Sequence, residues 1–103
     1  MKIAIIGTGN VGTALGINWN KSNHEIIYGS RSPQDEKHIE LEKFAQVLTL
    51  SQAAMQGDVI VLATPWQGTE EAIHEMGSTL NAKIVIDATN PLKPDFSGLL
   101  LYG

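Results

Sequence analysis

Four short stretches carry residue types whose spacing bears on chemistry: Gly7-Thr8-Gly9-Asn10-Val11-Gly12, Ser30-Arg31, Thr64-Pro65-Trp66 and Thr89-Asn90. In the first, glycines at 7, 9 and 12 follow an apolar run, Ile3-Ala4-Ile5-Ile6, and precede a segment with helical periodicity. That order suits a phosphate cradle. Gly7 would permit a tight turn, Gly9 would let a pyrophosphate approach the backbone, and Gly12 would let helix and strand pack closely. The unpaired N–H groups and dipole at the helix N-terminus then favour an anion, with Thr8, Asn10 and Val11 as further loop contacts. The alternative is a turn of small residues at a crowded helix–sheet contact. Gly16 is compatible with that as well, since a mid-helix glycine usually has a packing reason.

The residue that distinguishes dinucleotides is expected at the end of the second strand, ~20 residues beyond the loop. An NAD site usually carries an acid there for the ribose 2′-hydroxyl. Here the window reads Tyr28-Gly29-Ser30-Arg31-Ser32, without a carboxylate. A guanidinium beside hydroxyls suits a 2′-phosphate, because arginine supplies charge and a planar donor fork. The expected ligand is therefore NADP(H). Alternatively, Arg31 is a solvated surface charge, with Ser30 in a turn and Ser32 as a helix cap.

Ligands of open α/β sheets lie outside the carboxyl ends of the strands. Thr64-Pro65-Trp66 and Asp87-Ala88-Thr89-Asn90-Pro91-Leu92 arrive there. Thr64, Thr89 and Asn90 offer hydrogen bonds to a nicotinamide ribose or carboxamide, Pro65 stiffens the exit, and Trp66 offers an aromatic wall. The competing reading has these residues closing turns and covering a sheet edge. His24, His38 and His74 are expected on the solvated surface. Glu70 and Glu71 suit the first turn of a helix through the dipole alone. No metal-ligand spacing or Ser–His–Asp order stands out, and no catalytic residue is assigned.

The elements that must position these residues alternate between strand and helix. Strands are expected at 2–6, 25–28, 47–50, 58–63 and 83–87. The first helix spans about Asn10 to Asn20, with Val11, Ala14, Leu15 and Trp19 on one face. Ser32-Pro33-Gln34-Asp35 has the spacing of a helix start, and Leu41, Phe44, Ala45 and Leu48 fit one face of the helix beyond it. A brief helix over 52–56 would be capped by Ser51 and ended by Gly57. Another over 69–80 would turn Ile73, Met76 and Leu80 inward. Such alternation implies parallel pairing through right-handed crossovers. The expected fold class is α/β, a Rossmann-type doubly wound parallel sheet of about five strands, order 3-2-1-4-5, in three αβα layers.

Composition narrows the function classes. A chain of 103 residues supports one domain, and 43% apolar with 17% charged residues describes an ordinary globular protein. The net charge of −4 provides no basic face for nucleic acid. The absence of cysteine excludes disulfides and thiolate chemistry. It fits a reducing cytosol, so a cytoplasmic location is expected. No stretch approaches the ~20 apolar residues that cross a bilayer, so no membrane partner is expected.

With these residues in place, the chain resembles the coenzyme F420-dependent NADP oxidoreductase family. The resemblance rests on residues 1–12, Tyr28-Gly29-Ser30-Arg31, Ala63-Thr64-Pro65-Trp66 and Asp87-Ala88-Thr89-Asn90-Pro91-Leu92, in the family's order and spacing. It implies hydride transfer between NADP(H) and a deazaflavin, coenzyme F420, or a flavin or similar acceptor. The 2′-phosphate would be held by the glycine loop and the end of the second strand. Thr8 is the only hydroxyl inside the loop motif, a partial match, whereas Ser30 and Arg31 match well. The nicotinamide end would lie near 64–66. Members of the family are considerably longer, and their later part supplies much of the second-ring pocket and the dimer contact. Residues 1–94 are thus expected to form the NADP-binding domain, and 95–103 a truncated tail or the start of a second domain. A homodimer, or completion by a C-terminal half, is expected. Two alternatives remain: a non-catalytic NADP(H)-binding or sensing module, and a related reductase acting on an imine or ketone.

Overall fold

A computed structural model of the chain describes residues 1–64, 69–80, 83–88 and 100–102. β1 (Lys2–Ile6), β2 (Glu25–Gly29), β3 (Gln46–Leu48), β4 (Val59–Leu62) and β5 (Ile84–Asp87) pair in parallel, in the order β3-β2-β1-β4-β5. This is the expected doubly wound arrangement. Residues 100–102, within the segment read as a tail, form β6 (Leu100–Tyr102), antiparallel on the outer edge of β5.

Residues of the central strands are buried on both faces, which explains their near-continuous apolar runs. The pleat divides them between two cores. Ala4, Ile6, Ile27, Ile60 and Leu62 point toward α2 (Leu50–Gln56) and α3 (Thr69–Met76). Ile3, Ile5, Ile26, Tyr28 and Val61 point the other way, with Leu15 of α1 (Asn10–Lys21) and Leu41. The result is three layers, helix–sheet–helix.

Several boundaries differ from the sequence reading. No long helix follows Ser32. The chain makes a turn in which Asp35 N–H donates to Ser32 O, then two 3-10 turns, Glu36–His38 and Leu41–Lys43. The side chain of Asp35, not Ser32, caps the first of them by accepting from Lys37 N–H. The spacing of Leu41, Phe44 and Ala45 satisfies one face in either helix type, so periodicity alone did not separate them. α2 is capped by Thr49 instead of Ser51, in a reciprocal capping box with Gln52. Its far end is closed from a distance: the Lys83 ammonium donates to the carbonyls of Ala54, Met55 and Gly57.

On α3, Ala72 and Met76 are buried, while Ile73 lies at the surface and Leu80 packs from the 3-10 turn Gly77–Leu80. The buried stripe of α1 is also rotated from expectation. Gly12, Leu15 and Gly16 face the sheet with Trp19 beside them, whereas Val11 and Ala14 are exposed. Gly16 is there because Tyr28 is beneath it. A Cβ at Gly16 would overlap Tyr28 Oη and stand 2.6 Å from its Cζ. The Tyr28 hydroxyl shares its proton between Gly12 O and Thr13 O, each at 3.3 Å, and its ring meets Phe44 edge-on.

Two outcomes test this contact. Gly16→Ala should destabilise the fold by about 1–3 kcal/mol through overpacking, against alanine's better helix propensity. Denaturant unfolding measures it, and a double-mutant cycle with Tyr28→Leu should return a coupling above about 0.5 kcal/mol. Burial also pushes the Tyr28 hydroxyl up from 10.0 to about 12. The folded state therefore holds this proton more tightly than the unfolded state. Its contribution is complete below pH 10 and is lost as pH rises toward 12. Tyr28→Phe should flatten that part of the alkaline fall in stability.

Candidate functional site

The C-terminal ends of β1, β2 and β4 meet where the strand order reverses, since β1 continues to β2 on one side and adjoins β4 on the other. A cavity of about 290 Å³ opens there. Gly7 and Thr8 line it from β1, Ser30, Arg31 and Ser32 from β2, Lys37 from the first 3-10 turn, and Thr64 from β4. Leu50 supplies an apolar wall.

The glycines of the loop after β1, of which Gly7 lines the cavity, stand there for different reasons. Gly7 has φ +115°, and a Cβ there would stand 2.7 Å from Ala63 O. At Gly12 a Cβ would run into Gly7 O and lie 3.2 Å from Ile5 Cγ2. Both are required by the fold, whatever binds. Gly9 is not: its φ is −76°, and a Cβ would meet nothing within 4 Å. As N-cap of α1 it brings no side chain to the first-turn N–H groups. The loop is pinned by Gly7 N–H donating to Gly29 O at 3.0 Å and by Thr13 Oγ1 donating to Thr8 O at 3.2 Å. The positive dipole end of α1 thus carries no side-chain cap, a setting for an anion.

The far wall is built on Ser30. Its backbone N–H donates to Leu48 O at 2.9 Å, continuing the β2–β3 ladder by one residue. Its Oγ accepts from Ser32 N–H at 3.0 Å and lies 3.1 Å from Nε2 of His38. His38 is only 1% exposed, which corrects the expectation of a surface histidine. The 3-10 turn folds its side chain inward behind the serine, a placement that helical periodicity did not reveal. His74 is exposed and His24 half-buried.

Arg31 stands between two openings. It lines the cavity and also a shallow groove of about 780 Å³ with Glu70, Glu71, His74 and Glu75 of α3. Its Nη1 pairs with Glu71 Oε2 at 3.2 Å, and both side chains are more than half exposed. Such a pair contributes little and leaves the guanidinium free to exchange partners. The groove's carboxylates repel an anion. The smaller cavity combines two cations, hydroxyls and backbone donors, and no carboxylate lines it among the described residues. Lys37 was not singled out from the sequence, although it is the cation nearest Arg31 along the chain beyond the second strand. Pro65, Trp66, Thr89 and Asn90 lie outside the described residues, so of the later-strand candidates only Thr64 is placed at the cavity.

Residues 2–91 match the family described as NADP oxidoreductase, coenzyme F420-dependent. The chain belongs to that family. The F420-dependent NADP reductase of Methanocaldococcus jannaschii is 35% identical over an alignment of 106 positions, covering 89% of this chain and 46% of that protein. That of Methanothermobacter thermautotrophicus is 31% identical, covering 95% and 47%. The chain therefore spans a little under half the length of the curated relatives it matches. Among solved structures, a candidate F420-dependent NADP reductase from Arthrobacter sp. FB24 superposes with a TM-score of 0.80 at 26% identity, over 88% of this chain and 46% of that one. An imine reductase of Streptomyces aurantiacus, at 14% identity and a TM-score of 0.72, shares the fold over 84% of this chain and 31% of its own.

The glycine roles separate experimentally. Gly12→Ala should cost about 1–3 kcal/mol through overpacking, and Gly7→Ala at least as much through its backbone conformation. Gly9→Val should cost less than about 1 kcal/mol. Thermal unfolding of the three variants measures the order, and a large loss at Gly9 would contradict it.

Proposed function

We infer that this chain binds NADP(H) through the cavity at the ends of β1 and β2, as the nucleotide domain of an oxidoreductase. The observation that carries the reading is the contrast around the loop. The fold explains Gly7 and Gly12, whereas no packing contact requires Gly9, and its missing side chain leaves the start of α1 open to a ligand. The pyrophosphate lies over Gly9 and the first turn of α1, with Thr8, Asn10 and Val11 beside it. The 2′-phosphate lies between Ser30, Arg31, Ser32 and Lys37. Two cations and several donors there suit a dianion, and among the described residues no lining carboxylate offers the usual partner of a free ribose 2′-hydroxyl.

The nicotinamide would lie toward Thr64 and the stretch beyond it, with Pro65, Trp66, Thr89 and Asn90 as further contacts. The bound nicotinamide supplies or accepts the hydride, and the residues of this chain hold and orient it. The acceptor we favour is the deazaflavin coenzyme F420, on the strength of family membership and of relatives named for that activity. The pocket for it is not assigned to residues of this chain.

Titration with NADPH and NADH tests the cofactor reading. Arg31→Ala should weaken NADPH binding by about 1–3 kcal/mol, as for a hydrogen bond to a charged group, and leave NADH nearly unchanged. Lys37→Ala should act in the same direction by about 1 kcal/mol. Equal losses for both nucleotides would contradict a 2′-phosphate site.

A further inference from the structure

Behind the cavity sits a buried histidine that the cofactor reading does not use. His38 Nε2 is 3.1 Å from Ser30 Oγ, and the same oxygen already accepts from Ser32 N–H at 3.0 Å. A serine hydroxyl has one proton and two lone pairs. If His38 accepts, Ser30 spends its proton on the ring, and the oxygen turned toward the cavity offers only electron density to an anion. If His38 donates, the two lone pairs of Ser30 are occupied by Ser32 N–H and Nε2–H, and the hydroxyl proton is left for the cavity. The ring's hydrogen-bond direction thus decides whether Ser30 attracts or repels a phosphate.

Resting on the NADP(H) reading, we propose that His38 is a positioning residue for 2′-phosphate recognition: its Nε2–H donates to Ser30 Oγ and turns the serine proton toward the phosphate. His38 does not touch the nucleotide. It acts through Ser30, and so affects NADPH and leaves NADH alone. Burial makes the arrangement effective, because a ring with 1% of its surface exposed exchanges this bond for water far less readily than a surface histidine does.

Ring 15N spectra of histidine-labelled protein, with and without saturating NADPH, read the donor directly. Nε2 of His38 should carry its proton in the NADPH complex, and an unprotonated Nε2 there overturns the proposal. Nucleotide titrations form the second arm. His38→Leu should weaken NADPH binding about tenfold while NADH affinity is retained. His38→Gln, whose amide nitrogen falls near the Nε2 position and always donates, should stay within about threefold of the parent. An unchanged NADPH preference in His38→Leu overturns the proposal. So does a Gln variant as weak as Leu. Should His38→Leu not fold, the spectra and the Gln variant still decide. Ser30→Ala separates this inference from the reading beneath it. If that variant loses NADPH preference and His38→Leu keeps it, only the role of His38 falls. If wild-type protein shows no preference for NADPH, the cofactor reading falls first.

Discussion

The close approach of α1 to β1 and β2 governs everything at the candidate site. A helix can lie this near a sheet only where side chains are missing, and Gly12 and Gly16 provide the two gaps. Gly12 lets the first turn meet the backbone leaving β1, while Gly16 admits the Tyr28 hydroxyl below. Tyr28 then joins two elements on one face of the sheet, donating to α1 and packing on Phe44 beside the second 3-10 turn. The N-terminus of α1 is held at the mouth of the sheet by this contact together with the loop's own hydrogen bonds, Gly7 N–H to Gly29 O and Thr13 Oγ1 to Thr8 O.

From that contact the electrostatics follow. The end of β2 is drawn beside the helix start through Gly7 N–H and Gly29 O, so Ser30 and Arg31 emerge next to the open N–H groups. The two 3-10 turns bring Lys37 and His38 back over the same strand end. One residue reaches into the cavity and the next is buried behind Ser30. Arg31 rests on Glu71, an exposed pair weak enough to exchange for a better anion. The site is thus assembled from elements adjacent in space at the reversal of strand order, where open α/β sheets generally bind ligands.

What was legible in the sequence was the framework. Buried strands announce themselves as unbroken apolar runs, and the glycine loop between strand and helix was recognisable at Gly7 and Gly12. The chain from Ser32 to Ala45 departs from the helix that its spacing predicts. Leu41, Phe44 and Ala45 recur at intervals that an α-helix and a pair of 3-10 turns both satisfy, and Pro33 starts either one. The choice between them is tertiary: the turns bury His38 and Leu41 against the end of β2, which no local spacing records. For that reason local spacing neither singles out Lys37 nor places His38 in the interior. The rotation of α1 has the same origin, because an apolar pattern ranks Val11 and Ala14 above glycines that are buried for lack of a side chain.

The central claim is that the strand-end cradle receives a 2′-phosphate, and it is tested most directly without the nicotinamide or any acceptor. Amide chemical-shift mapping of 15N-labelled protein with ADP-ribose and with 2′-phospho-ADP-ribose isolates that group. Both ligands should perturb the loop from Gly7 to Gly12, and only the phosphorylated one should add large shifts at Ser30, Arg31, Ser32 and Lys37. Identical maps for the two ligands, or shifts centred on the α3 groove, would contradict the account.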